Sequence, residues 1–161
     1  IGTRKEWEYR LKRLSIALLG HYLVCPLNLQ SNPSVIIDRH KAAIVRKSLS
    51  RPVRLALESG LFSEHTTFFD YGCGYGGDIE HIFQQGYQSS GWDPYYRSNS
   101  NCLPADVVNI GYVINVIEDP KERREALIKA WELTQRVLIV SAQVLINDSN
   151  QGLVAYGDGI I

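Results

Sequence analysis

The stretch FFDYGCGYGGDIEHIFQQGYQSSGWDPYY, residues 68–96, decides how this chain folds. Two aromatic residues lead into Asp70, and glycines follow at 72, 74, 76 and 77. A second acid, Asp93, sits in Gly91-Trp92-Asp93-Pro94. A tight turn from strand to helix requires residues that accept positive φ. A ligand lying against backbone requires residues with no side chain in the way. Gly72, Gly74 and Gly76, at alternate positions after Asp70, meet both needs, and the free N–H groups of the next helix face the same place. The pattern lacks the Gly-Lys-Ser/Thr ending of a phosphate loop. Gly72, Gly74 and Gly77 also fit Gly-x-Gly-x-x-Gly, so a dinucleotide site is a rival. The leading acid separates the two. Asp70 ends a strand where a positively charged ligand group would lie. Asp93 ends the next strand, where a carboxylate accepts hydrogen bonds from ribose hydroxyls. Together they point to a nucleoside-like cofactor.

Working outward, Thr66 to Tyr71 and Gln88 to Trp92 predict short strands around a helix carrying Ile79, Ile82 and Phe83 and closed by Gly86. DVVNIGY, 106–112, predicts a buried strand. Asp119 is a good N-cap, Pro120 suits the first helical position, and Glu122 completes a capping box. That helix runs to about Thr134 with Ala126, Leu127, Ala130 and Trp131 inward. RVLIVSA, 136–142, is a further strand. Strands alternating with helices indicate a parallel α/β sheet. Upstream, Trp7, Leu11, Leu14 and Leu18 predict a helix over 4–19. Residues 21–34 carry the breakers Pro26, Asn28, Ser31, Asn32 and Pro33. A second helical stretch is expected over about 35–48, and a third from a Ser50 cap to a Gly60 stop. The expected divisions are an extension over 1–34, a basic helical arm over 35–61 and the α/β domain over 62–161.

A chain of 161 residues has room for one domain with a proper core. The cysteines at 25, 73 and 102 have no metal-like spacing, and a reduced, cytoplasmic setting is the simplest account. The longest apolar run, about 14–27, is broken by Gly20, His21 and Pro26, too short for a bilayer span. Starting at Ile1 with no methionine anywhere predicts a piece of a longer protein. Net charge is zero, but through Arg54 eleven Lys/Arg face three Asp/Glu, and the remainder reverses the balance. A basic arm beside an acidic body suits either a nucleic-acid partner or packing of the arm on its own body.

The Asp-x-Gly-x-Gly-x-Gly turn followed by an acid after the next strand resembles the class I S-adenosylmethionine-dependent methyltransferases. More narrowly, residues 36–145 resemble the methyltransferase family associated with bacterial DNA phosphorothioation. The matching text is DRHKAAIVRKSLSRPVRLALESGLF, FFDYGCGYGGD, GWDPYY and ADVVNIGYVINVIEDPKERREAL. The resemblance implies a Rossmann-like sheet, an S-adenosylmethionine cofactor and a place in a bacterial defence system, with nucleic acid as the first guess for the methyl acceptor. It implies that Asp70, Tyr71, Gly72, Cys73, Gly74 and Gly76 surround the methionine and ribose of the cofactor. Asp93 would take the ribose hydroxyls. Asn109, Gly111 and Tyr112 would line the pocket beside the methyl group. Members of the family continue beyond YGDG, 156–159.

One departure stands out. Only twelve residues, Pro94 to Ala105, precede Asp106, where the class I pattern has a helix, a strand and another helix. The contact to the adenine amine then has no counterpart. A second expectation is therefore a scaffold subunit without transfer activity, and a third is a nicotinamide-dependent oxidoreductase.

Methyl transfer mainly needs aligned reactants, so no catalytic motif is obligatory. Tyr112 and Asn115 are the candidates for positioning an acceptor; for Tyr112 the simpler account is a buried ring with a satisfied hydroxyl. Capping explains Asp119 and leaves Glu118 as a candidate. His81 is expected at the surface. His40, in DRHK, lies in a basic cluster. Cys73 is expected to fill the turn as a small residue. DPYY, 93–96, resembles the Asp-Pro-Pro-Tyr box of enzymes that methylate base amino groups, but follows the second strand instead of the fourth, and is read as ribose binding plus a loop.

Overall fold

Phe68 and Phe69 are adjacent, yet each is buried in a different core. Successive side chains of a strand point to opposite faces, so two fully buried neighbours require cover on both sides of the sheet. The structure, a computed structural model, describes residues 38–143, the helix 4–13 and the short strands 17–19, 22–24, 155–156 and 159–160. It divides the chain into two units: Ile1–Ile37 with Ser149–Ile161, and Asp38–Asp148. The expected boundaries at 34/35 and 61/62 differ from these, because residues 38–61 pack within the α/β unit.

In the first unit, α1 covers Arg4–Arg13. The strands β1 (Ala17–Leu19) and β2 (Tyr22–Val24) pair antiparallel, with Leu18 opposite Leu23. The expected helix over 4–19 is thus too long at its end, and the irregular stretch over 21–34 contains a strand. Ala-Leu-Leu and Tyr-Leu-Val gain a partner across a short connection, and pairing overrides a helical spacing that continued only through Leu14 and Leu18. Leu14, Gly20, Cys25 and the breakers from Pro26 to Pro33 lie outside the described residues.

In the second unit a single 3-10 turn, Arg39–Ala42, comes first. It is followed by α2 (Arg51–Glu58), β3 (Thr67–Tyr71), α3 (Gly77–Gln84), β4 (Gln88–Trp92), β5 (Ala105–Gly111), α4 (Val113–Val116), α5 (Pro120–Glu132) and β6 (Thr134–Ser141). The helix expected over 35–48 is not there: only Arg39–Ala42 makes a turn, and 43–48 has no helix. Ile44 and Val45 are exposed, so the segment has no apolar face to bury as a helix. The helix expected after Ser50 does form. Ser50 occupies the N-cap without a side-chain cap, its backbone N–H donating instead to Asp78 Oδ1 at 2.6 Å. Gly60, at φ 71°, ends α2, with its N–H on the Leu57 carbonyl and the Leu61 N–H on the Ala56 carbonyl.

The four strands run parallel in the order β4-β3-β5-β6. On one face Phe69, Tyr71, Val108 and Ile110 pack against Ala126 and Ala130 of α5. On the other Phe68, Val107 and Phe62 pack against Val53 and Ala56 of α2 and Ile82 of α3. Each Phe at this depth contributes roughly 1.5–3 kcal/mol by leaving water. Trp131, expected inward, is 67% exposed: alanines at 126 and 130 let α5 approach the sheet closely and leave Trp131 on the outer side. The starts of β3 and β5 are pinned by Asp106, whose Oδ2 accepts from Thr67 N and Oγ1, both at 2.8 Å.

The order places the reversal at β3. The chain moves from β3 outward to β4, then returns past β3 to β5. In open parallel sheets a ligand crevice lies at the carboxyl ends of strands at such a switch point. Asp70 and Asn109 are register partners there.

Candidate functional site

The turn after β3 is built by backbone conformation. Gly72, Gly74 and Gly76 have φ of 77°, 54° and 84°. At Gly72 a Cβ would also run into Val113, so the position needs glycine twice over. The turn is tied to the end of β4: Gly72 N and Cys73 N both donate to the Trp92 carbonyl, at 2.8 and 3.1 Å. Gly76 caps α3 in the left-handed region, and no side chain caps that helix start. Its first amides are thereby left for a ligand or solvent.

Asp70 and Asp93 lie in contrasting surroundings. Asp70 is 5% exposed and accepts from Asn109 Nδ2 at 2.8 Å. Burial, with the Asp78 carboxylate second, pushes its pKa up to about 7, against the opposing pull of Asn109 and Arg46. Asn109 is itself 2% exposed, and its Oδ1 has no hydrogen-bond partner. Asp93 is half-buried and held by three backbone N–H groups. Its Oδ2 accepts from Gly74 at 3.0 Å, and its Oδ1 from Tyr95 and Tyr96, each at 2.9 Å. A carboxylate has about four lone-pair sites, so about one remains for a ribose hydroxyl.

Tyr112 follows β5 and is the one non-glycine at positive φ among the described residues, at 63°. Such a conformation costs about 1–3 kcal/mol and concentrates at functional sites. The Tyr112 ring is half-buried beneath the Arg46 guanidinium, 5.7 Å from its centroid. Gly111 lies against the Asn109 amide: a Cβ there would come within 3.0 Å of Nδ2. Asn109, Gly111 and Tyr112 therefore gather at the strand end beside Asp70 and the glycine turn. Asn115 does not join them. Its amide exchanges hydrogen bonds with the Gln143 backbone, at 2.8 and 2.9 Å, and so clamps the exit of β6.

The remaining candidates have structural partners. Cys73 Sγ faces the Gly74 carbonyl at 3.8 Å, and burial, helped by the Asp70 carboxylate, pushes its pKa up to about 12. The thiol is thus protonated and unreactive near neutrality. Tyr71 is buried in the core facing α5. His81 is half-buried, not exposed, with Nδ1 2.6 Å from the Gly77 carbonyl. Asp119 Oδ1 does cap α5 through Lys121 N at 2.8 Å. Glu122 is engaged at 2.6 Å by Arg39 Nη1 rather than completing a capping box. Glu118 takes Arg39 Nε and Nη2 at 2.8 and 2.6 Å, and that bidentate contact lowers its pKa.

Sequence reasoning missed the segment that covers this site. Residues 38–48 lie on the glycine turn: a Cβ at Gly74 would sit 3.1 Å from Ala43 Cβ, and one at Gly77 3.1 Å from Arg46 Cβ. From the other side Arg97 reaches over Gly76, where a Cβ would meet its guanidinium at 2.6 Å. The available signal was the density of Arg, His and Tyr in 39–46 and 95–97, which carries no information about what it faces. Comparison with family models and with curated proteins finds no match for this chain.

Proposed function

We propose that this chain carries the cofactor-binding part of an S-adenosylmethionine-dependent methyltransferase linked to bacterial DNA phosphorothioation. One observation carries most of the weight. The turn Gly72-Cys73-Gly74-Tyr75-Gly76, with three alternate residues at positive φ, lies at the switch point of a parallel sheet between two strand-end carboxylates. A backbone of that shape admits a nucleoside-like ligand to van der Waals contact. Asp70, Asn109, Gly111 and Tyr112 supply the polar wall for the methionine end, and Asp93 lies beside the turn for the sugar. The chain's own task is alignment: methyl transfer is an in-line displacement from a sulfonium, and orientation supplies much of its acceleration. No base is needed where the acceptor loses its proton to solvent.

A second function is favoured by a specific observation. Asp93 is occupied by three backbone donors, and Arg97 overlies the turn. Both features suit a scaffold subunit whose pocket is closed by its own side chains.

Calorimetric titration with S-adenosylmethionine and S-adenosylhomocysteine, with NAD as control, tests both. Micromolar binding of the first two and none of NAD is expected, and Asp93→Ala should weaken it by about 1–3 kcal/mol. Absence of binding by all three would leave the scaffold function standing.

A further inference from the structure

Four rings gather beside the glycine turn, from three segments far apart in sequence: His40, Tyr75 and the pair Tyr95-Tyr96. His40 and Tyr95 stack with centroids 4.0 Å apart and planes 8° apart. Tyr96 stands across them, 6.5 Å from His40 and 4.9 Å from Tyr95. Tyr75, from the turn itself, lies 4.3 Å from Tyr96. The Tyr96 hydroxyl ties the group together, 3.1 Å from both the His40 carbonyl and the Tyr75 hydroxyl. Asp93 fixes the loop by accepting the Tyr95 and Tyr96 N–H groups. The rings are therefore held in place, yet Tyr95 is 61% exposed and Tyr75 is 49% exposed. One face of Tyr95 is covered by His40, and most of the remaining ring stands in solvent.

The charges around the rings select the occupant. Arg97 is exposed two residues beyond Tyr95, and Arg46, followed in sequence by the exposed Lys47, packs on the turn at Gly77. None of the three forms an ion pair with a carboxylate among the described residues, while Arg46 lies over Tyr112 and exerts a longer-range pull on Asp70. The nearby acids are engaged: Asp38 with Lys41 at 2.5 Å, and Asp93 with backbone. An aromatic cage for a methylated ammonium would be opposed by these guanidinium groups. A planar base attached to a phosphate satisfies rings and cations together. A paired base inside a duplex cannot lie on them, because its faces are already stacked.

We propose that His40, Tyr75, Tyr95 and Tyr96 form a stacking platform for an unpaired base of a single-stranded nucleic acid, with Arg97, Arg46 and Lys47 on its phosphates. This names the acceptor class for the proposed methyltransferase and rests on that function for its purpose, while the contact itself stands on the rings and charges. It divides the nucleic-acid contact between the basic arm, through His40, Arg46 and Lys47, and the turn and loop that carry Tyr75, Tyr95, Tyr96 and Arg97.

Fluorescence anisotropy with a labelled single-stranded oligodeoxynucleotide and the same sequence as duplex tests the platform on the full chain. The single strand should bind about tenfold more tightly or better. Tyr95→Ala should weaken that binding about tenfold, and Tyr95→Phe, which keeps the ring, should preserve it. Arg97→Ala should reduce the slope of log affinity against log salt by about one. Should Tyr95→Ala fail to fold, Tyr75→Ala makes the same test from the other end of the ring group. Equal binding of strand and duplex with no response to ring removal overturns the proposal, as does absence of strand binding. Titration with S-adenosylhomocysteine in parallel separates the two claims. Strand binding without cofactor binding keeps the platform and removes the methyltransferase function, whereas cofactor binding without strand binding removes the platform alone.

Discussion

Residues 72–77 and residues 38–48 touch across the same site, but they hold their shapes by different means. The glycine turn is fixed by backbone torsions and by amides on the Trp92 carbonyl. The covering segment has one 3-10 turn and depends on side chains. Arg39 grips Glu118 and Glu122, and Tyr96 holds the His40 carbonyl. Torsional control needs no rearrangement for a ligand of the proposed kind, so the turn suits a rigid cradle. A segment held by partly exposed ion pairs opens at small cost, since such pairs are each worth roughly 0–1 kcal/mol. Cradle and cover thus differ in stability by design of their contacts.

The largest expected effect comes from the acid at the base of the cradle. Asp70 has a folded pKa of about 7 against its ordinary 3.8. Below about pH 4 it is protonated in both states. Between there and about pH 7 the unfolded chain ionises first, so stability falls as pH rises, by up to about 4 kcal/mol. Urea denaturation across this range should show that fall, and Asp70→Asn should remove most of it. A flat profile in the parent would mean that Asp70 is better solvated than its burial implies.

Next in size is a side chain in the cradle. Gly72→Ala forces an L-residue to φ 77° and pushes against Val113, for an expected loss of about 2–4 kcal/mol. The denaturation midpoint reports it. A loss below half a kcal/mol would show that the turn yields, contrary to the contrast drawn with the cover.

The smallest effect on global stability belongs to the cover. Arg39→Ala removes a partly exposed ion-pair cluster and should cost only about 1 kcal/mol. Hydrogen exchange sharpens the comparison: residues 38–48 should exchange severalfold faster in the variant, while 67–84 stay unchanged. Uniform acceleration of both would mean that cover and cradle open as one.

Much of the α/β unit was legible in the sequence for local reasons. Apolar runs mark β3, β5 and β6, Gly86 and Pro94 bracket β4, and Asp119-Pro120 marks the start of α5. Alternate glycines after Asp70 announce positive φ, and the three at 72, 74 and 76 have it. Asn109 is expected in the site only through the resemblance, and its place opposite Asp70 is set by the β3–β5 register. The segment 38–48 misled because its length resembles a helix while its apolar residues find no surface to bury.

The sequence by itself determined the parallel sheet and the candidate turn after Phe68-Phe69-Asp70, because torsional preference and continuous apolar runs act between near neighbours. Only the tertiary structure decided that Asp70 is buried while Asp93 is wrapped in backbone donors, that Asn115 clamps Gln143, that Tyr112 adopts a left-handed conformation, and that His40 stacks on Tyr95. Most of those outcomes depend on contacts between residues tens of positions apart, and Asp93 joins its neighbours Tyr95 and Tyr96 to Gly74, nineteen positions back. Burial, charge pairing and ring stacking are set by what the fold brings together, and spacing along the chain does not encode them.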